Sequence, residues 1–306
     1  MRLRFVGLVV LCFVARAQTA SIVEIVRASL GAGSPAYAQQ ALDRYRASRG
    51  VTPEYIEALS WMGRAELASK NYAAAERNAA EVRKLCLEQL AHRKIDAEPA
   101  LPLALGASIE VEAEAAVAQG RRDEAVLFLR AEASRWPGSS LSPRIQKNLN
   151  LLTLEGKPAP ALDVAHGLTD RKPLPLAAHR GHPVLLFFWA HWCSDCKNEI
   201  AIIAKLEQTY RNRGLVVVAP TRHYGYVAGG AEAPPAAETP YIRTVFDRYY
   251  AGLGPVEIPL SEANFLSYGV STTPTLVIVD ARGIVRLYHP GNLDFNQLAG
   301  RIAPLL

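Results

Sequence analysis

The sequence predicts an α/β domain built around a dithiol, preceded by an all-helical domain. Three features predict this. A solid apolar run, Pro183 to Ala190, leads directly into Trp192-Cys193-Ser194-Asp195-Cys196. A second apolar run, Leu215 to Ala219, follows one helix-length later, as buried parallel strands do. Residues 18–152 are rich in alanine, leucine and glutamate, poor in glycine, and read as helices.

The chain has 306 residues, half of them hydrophobic and 21% charged, which is ordinary for a globular protein of two domains. Residues 1–17 read as a secretory signal peptide: basic Arg2 and Arg4, the apolar run Phe5 to Val14, then Ala15-Arg16-Ala17 as a cleavage site. The run is too short for a bilayer, which needs roughly 20 apolar residues. The expected location is therefore outside the cytoplasm, periplasmic or extracellular, or tethered to the membrane if the signal stays uncleaved. Removing residues 1–17 takes away three arginines and no acid, so the net charge falls from +5 to +2. Nothing in that balance calls for nucleic acid. Of the four cysteines, Cys12 lies in the signal, and Cys86, Cys193 and Cys196 remain. An exported chain with so few is not a disulfide scaffold. Cys86 sits on an apolar helix face and reads as a small buried hydrophobe.

In residues 18–152, Ser34-Pro35 starts a helix that Gly50 stops. Thr52-Pro53-Glu54 starts the next, with proline at the first helical position. Leu59, Met62, Gly63, Tyr72 and Ala75 match positions of the tetratricopeptide pattern, and Ala113, Gly120, Ala125 and Pro137 repeat part of it. Glu88 to Leu105, with Pro99 and Pro102, breaks the tandem spacing. This half resembles a tetratricopeptide array, which implies a concave surface for a peptide or partner protein, or a spacer or dimerisation module. Residues 153–160, with Gly156-Lys157-Pro158-Ala159-Pro160, read as the linker to a domain over 161–306.

In the second half, the helix after Cys196 presents Ile200, Ile203, Ala204 and Leu206 on one face and stops at Gly214. Leu215 to Ala219 is expected as a strand in the middle of a sheet. Thr221 to Thr239 reads as a long loop, and Pro240 as the start of a helix through Tyr250. Val256 to Leu260 is a short extended piece and Glu262 to Tyr268 a short helix. Leu276 to Val279 and Ile284 to Tyr288 form a hairpin about Asp280-Ala281-Arg282-Gly283, and a helix from Phe295 closes the chain. Strand, helix, strand, hairpin, helix is the thioredoxin order, and C-x-x-C beside a βαβ pattern points the same way.

Residues 156–306 resemble the exported thioredoxin-like reductases of the TlpA/ResA kind. The matching pieces are Gly156-Lys157-Pro158-Ala159-Pro160, Arg180-Gly181-His182-Pro183-Val184, Phe188-Trp189-Ala190-His191-Trp192-Cys193, Cys196-Lys197-Asn198-Glu199, Tyr268-Gly269-Val270, and Thr273-Pro274-Thr275 with Asp280 and Gly283. The resemblance implies that Pro274 is a cis proline beside the dithiol, exposing the Thr273 backbone to a substrate chain. Three positions depart from the family. Ser194-Asp195 stands where proline usually comes second, Phe187 stands where a strand often carries a buried acid or amide, and the helix after the dithiol lacks its kinking proline.

The expected function is an exported thiol–disulfide oxidoreductase running as a reductase. Cys193, exposed at a helix N-terminus where the dipole favours its thiolate, attacks a protein disulfide; the shielded Cys196 resolves the mixed disulfide. Trp192, Thr273 and Pro274 are expected to hold the substrate. Asp195 places negative charge near both sulfurs, which raises a thiol pKa and inclines the protein towards reduction. Asp195 and Glu199 are candidate proton relays, each otherwise a solvated helix residue. His191 reads as an exposed neighbour of the dithiol, with proton shuttling or a shared metal site as alternatives; zinc wants four ligands, and no metal or cofactor is assigned. In an oxidising compartment a reductase draws electrons from a membrane donor. Two rival functions stay open: a non-catalytic binding protein on a thioredoxin-like scaffold, and a disulfide oxidase or isomerase.

Overall fold

A computed structural model describes residues 20–306; the expected signal peptide and Cys12 lie outside them. The first half is helical: α1 (Ile22–Gly31), α2 (Pro35–Arg49), α3 (Pro53–Ala68), α4 (Tyr72–Leu90), α5 (Ala100–Ala118), α6 (Arg122–Arg135) and α7 (Ser142–Thr153). Local chemistry sets the ends. Ser21 and Glu24 form a capping box on α1, and Thr52 accepts the Tyr55 N–H at the start of α3, ahead of Pro53. Gly50 and Gly120 take positive φ after α2 and α5, and Lys70 does so after α3. Helix α3 packs against both α4 and α5, with Ala75, Ala79 and Val111 forming one small buried cluster there. Cys86 is fully buried, and burial pushes its thiol up to about 12, so it stays an inert thiol. Pro99 and Pro102 sit at the start of α5, so the break falls between Ala91 and Pro99.

The second half contains β1 (Val184–Phe188), α8 (Ser194–Tyr210), β2 (Val216–Val218), α9 (Pro235–Tyr249), α10 (Glu262–Ser267), β3 (Thr275–Val279), β4 (Val285–Pro290) and α11 (Phe295–Ile302). The sheet order is β2-β1-β3-β4; β1 runs parallel to β2 and antiparallel to β3, which pairs antiparallel with β4. This is an α/β thioredoxin-like fold. Both faces of the sheet are covered. Leu185 and Phe187 join the core that α8, α9 and α11 supply with Ile200, Ile203, Ile242 and Leu298. Val184, Leu186 and Phe188 face Phe265, Tyr268 and Leu154. A strand buried on both faces has no polar alternation, which is why residues 183–190 read as an unbroken apolar run.

Two expectations are corrected. β2 is the terminal strand of the four, not a middle one. Its outer edge is nevertheless covered, because Ala219 N–H donates to Glu257 O and Thr221 N–H to Pro259 O, so residues 257–260 continue the sheet as isolated bridges. Helix α9 begins at Pro235, five residues before Pro240, which lies inside it. Pro235 takes the first helical position, where a missing N–H costs nothing, and Pro240 is accommodated one turn on.

The segment 153–160 runs along the β4 edge. Gly156 N–H donates to Val285 O, Val285 N–H to Lys157 O, and Ala159 N–H to Gly283 O. Asn150 of α7 donates from Nδ2 to Tyr268 O at 2.8 Å, and Leu154 enters the core of the second half. No helix of the described residues is long and apolar enough to cross a membrane.

Candidate active site

Strand β1 ends in the core, and the chain turns through Ala190–Trp192 into α8. Cys193 is the N-cap of that helix; its Sγ accepts the Cys196 N–H at 3.0 Å, and the two cysteines are joined as a disulfide with Cα atoms 5.3 Å apart. One helical turn separates them, which brings the sulfurs within bonding reach. The Thr273–Pro274 peptide is cis, and the Thr273 carbonyl lies 3.4 Å from Cys193 Sγ. Dithiol and Thr-Pro loop thus meet, although 80 residues separate them in sequence.

Cys193 was expected to be exposed; it is only 4% exposed, and Cys196 is fully buried. The exposed member of the motif is Trp192, at 49%, whose indole meets the Tyr224 ring edge-on with centroids 5.6 Å apart. Asp195 is exposed in the first turn of α8.

Two polar residues differ from their expected setting. Glu199 is 1% exposed rather than a solvated helix residue. It lies three positions after Cys196 on the same face of α8, and its carboxylate accepts the Leu293 N–H at 3.3 Å. Burial raises its pKa to about 7, with the nearby Asp294 charge adding to the rise and the Leu293 N–H opposing it. His191 is 2% exposed, not an exposed neighbour. Its Nε2 lies 3.3 Å from Glu238 Oε1, within ion-pair distance but without the alignment of a hydrogen bond. Tyr224, Tyr226 and Tyr241 surround the imidazole edge-on, with centroids 5.3–5.4 Å away. Burial lowers the His191 pKa; Glu238 opposes that, and Lys197 adds to it.

Glu238 is the buried polar neighbour of the site that sequence reasoning missed. It is fully buried on α9, and its carboxylate accepts the backbone N–H of Tyr224 at 2.6 Å and of Gly225 at 2.9 Å. It lies within the stretch read as a loop, so no helical face marked it beforehand.

A disulfide across the first turn of a helix, beside a cis X–Pro loop and on a thioredoxin-like fold, defines a thiol–disulfide redox protein. The sequence relatives narrow this. The AhpC/TSA family model matches residues 156–222. A thiol:disulfide interchange protein DsbE from Pseudomonas fluorescens biotype C is 30% identical over 142 residues, covering 45% of this chain and 68% of that one. The thiol-disulfide oxidoreductase ResA of Bacillus thuringiensis (strain Al Hakam) is 28% identical over 145 residues, covering 47% and 75%. A crystal structure of a thiol:disulfide interchange protein of the thioredoxin family from Chlorobium tepidum TLS superposes with a TM-score of 0.39 and 18% identity, covering 49% and 97%. Through its C-terminal half the chain belongs to the thioredoxin-like thiol–disulfide oxidoreductases of the DsbE/ResA type, with Cys193–Cys196 as its C-x-x-C pair.

Proposed function

We propose that the protein is an exported protein-disulfide reductase with a helical adaptor domain. The observation that carries this is the Cys193–Cys196 pair set against the Thr273 carbonyl, with the buried Glu199 one turn beyond on the same helix. In the reduced protein the Cys193 thiolate attacks one sulfur of a substrate disulfide, forming a mixed disulfide and expelling the other substrate sulfur as a thiolate. Cys196, losing its proton to Glu199, then attacks Cys193 Sγ. The substrate leaves with both thiols, two electrons have passed to it, and the Cys193–Cys196 disulfide remains. A dithiol donor at the membrane restores the starting state. Trp192, Thr273 and Pro274 form the surface on which the substrate chain lies. Thr273 offers its backbone to that chain, and Trp192 offers an exposed apolar ring. Of the two candidate relays, Glu199 suits the task, since a group with a pKa near 7 both takes and returns a proton at neutral pH. Asp195 acts as a solvent-facing charge.

Export rests on the basic and apolar start of the sequence, and the adaptor role on the tetratricopeptide-like spacing of α3 to α6. The test is the reduction of a disulfide-bonded protein by wild type and Cys193→Ser, together with the dithiol potential. Turnover lost in Cys193→Ser and a potential near about −270 mV support the reductase; a potential near about −120 mV assigns an oxidase. A wild type inert in both directions leaves only a binding role.

A further inference from the structure

The chain after β2 returns beside Trp192 as the loop Arg222–Val227, held at its ends by Arg222 with Glu262, His223 with Thr239 and Val227 with Ala231, and at its centre by one buried carboxylate. Glu238 holds the Tyr224 and Gly225 N–H groups, and on its other side it faces His191, two residues before Cys193. The loop in turn touches the flank of the dithiol through Tyr224, against Trp192. A continuous path therefore runs from His191 through Glu238 and the loop back to Trp192.

We propose that His191 is a positioning residue for the dithiol: through Glu238 and the tyrosine cage it latches loop 222–227 against Trp192, and its protonation releases the loop and weakens substrate binding. The inference rests on the oxidoreductase reading for its effect on turnover, but the latch itself is a property of the resting protein.

The physical argument starts from what surrounds the imidazole. The charged and titratable groups facing it are Glu238 and Tyr241 from α9, Tyr224 and Tyr226 from the loop, and Lys197 from α8. Neither ring nitrogen has a well-aligned hydrogen bond among the described residues. A neutral imidazole fills such a cage as an aromatic ring, packed edge-on against three others. An imidazolium there is a buried cation whose two N–H donors are poorly placed, and it must be hydrated or repaired. One carboxylate offsets part of that cost, but Glu238 already serves two backbone N–H groups. The cheaper response is to admit water by moving the loop, a wall of the cage that, unlike α8 and α9, is pinned by a single β-bridge at Tyr226 rather than by a helix. The direction follows from linkage. Burial holds the His191 pKa below its ordinary value, so the latched state binds fewer protons than the open one. Latching is therefore strongest above the ordinary histidine pKa and weakens as pH falls through it.

The test is hydrogen exchange on the oxidised, substrate-free protein, followed by kinetics. In wild type the protection factors of the Tyr224 and Gly225 amides should fall about tenfold between pH 7.5 and 5, and KM for a disulfide-bonded protein should rise by a similar factor, with kcat changing less. His191→Gln, which stays neutral and keeps an N–H donor, should give protection and KM close to wild type at pH 7.5 and flat across the range. Glu238→Gln, which loses one acceptor for the loop, should lower both protection factors already at pH 7.5. A wild-type protection profile that does not change with pH, or a His191→Gln profile that falls as wild type does, overturns the latch. The loop carries a second histidine, His223, whose Nε2 lies 2.8 Å from Thr239 Oγ1; should His191→Gln fail to fold, His223→Gln decides it, since it should keep the wild-type fall with pH, and a flat His223→Gln profile overturns the latch. Exchange is read without turnover, so a protein inert towards disulfides would sink the oxidoreductase reading while leaving the latch to be judged separately.

Discussion

A carboxyl group one turn along α8 from Cys196, shut off from water, ionises late. Glu199 has a pKa near 7 because burial penalises its charged form. Two consequences carry opposite signs in pH. In the proposed mechanism the ionised form is the useful one, since there it takes the Cys196 proton, so resolution of the mixed disulfide should quicken as pH rises through about 7. Glu199→Gln should lose that limb and slow resolution about 100-fold at pH 8, measured by stopped-flow decay of the transient mixed disulfide. An unchanged profile would remove Glu199 from the mechanism. For stability the sign reverses. The folded protein holds an extra proton between the unfolded carboxyl pKa and 7, so stability falls as pH rises across that window. Glu199→Gln should therefore melt several degrees above wild type at pH 8 and show little difference at pH 4. Part of this was legible: Cys196, Glu199, Ile200 and Ile203 share one helical face, and a glutamate among buried neighbours is itself a signal. His191 carried no such signal, because its partner Glu238 lies 47 residues away in the sequence, on a stretch that reads as loop.

At the scale of elements, α9 shows how position overrides a local rule. A proline marks a helix start by the local rule, and by that rule Pro240 is the first residue of the helix. Pro234-Pro235 starts the helix earlier, and this places Glu238 inside it, aimed at the loop N–H groups. The helix tolerates Pro240 at the cost of the bond its N–H would have made to the Ala236 carbonyl. Pro240 is exposed, so Pro240→Ala disturbs no packing and supplies that donor. It should raise Tm by a few degrees, with the loss of proline's rigidity in the unfolded chain as the opposing effect. A lower Tm on thermal denaturation would show that the proline rigidifies more than it disrupts. The β2 strand teaches a related lesson. Apolar Leu215 to Ala219 signals a strand covered on all sides, and it is covered. The cover on one edge is the irregular piece Glu257 to Leu260, which a periodicity argument cannot place. Burial was readable from composition; which neighbour supplies it was not, because the pairing is non-local.

At the scale of the whole molecule, the two halves form one packed unit rather than beads on a flexible link. Residues 156–159 bond along β4, Leu154 enters the core of the second half, and Asn150 of α7 donates to Tyr268 O, which also receives the Tyr288 hydroxyl at 2.8 Å. Gly269 lies directly against α7: a Cβ there would fall 2.5 Å from Lys147 N and 2.7 Å from Gln146 C. The same residue has φ +61°, a conformation that disfavours a side chain on its own account. The Gly269 position thus needs both the missing side chain and the positive φ for α7 to seat. In a molecule coupled this way, melting should be a single cooperative transition. Gly269→Ala should unseat α7 and split the calorimetric trace in two, the two halves melting apart. Asn150→Leu, which leaves the Tyr268 carbonyl to Tyr288 alone, should cost about 1–3 kcal/mol and lower Tm without splitting the trace. A Gly269→Ala protein that melts in one step at the wild-type temperature would mean that the halves are held by the 156–159 strand pairing, and that α7 only rests against them.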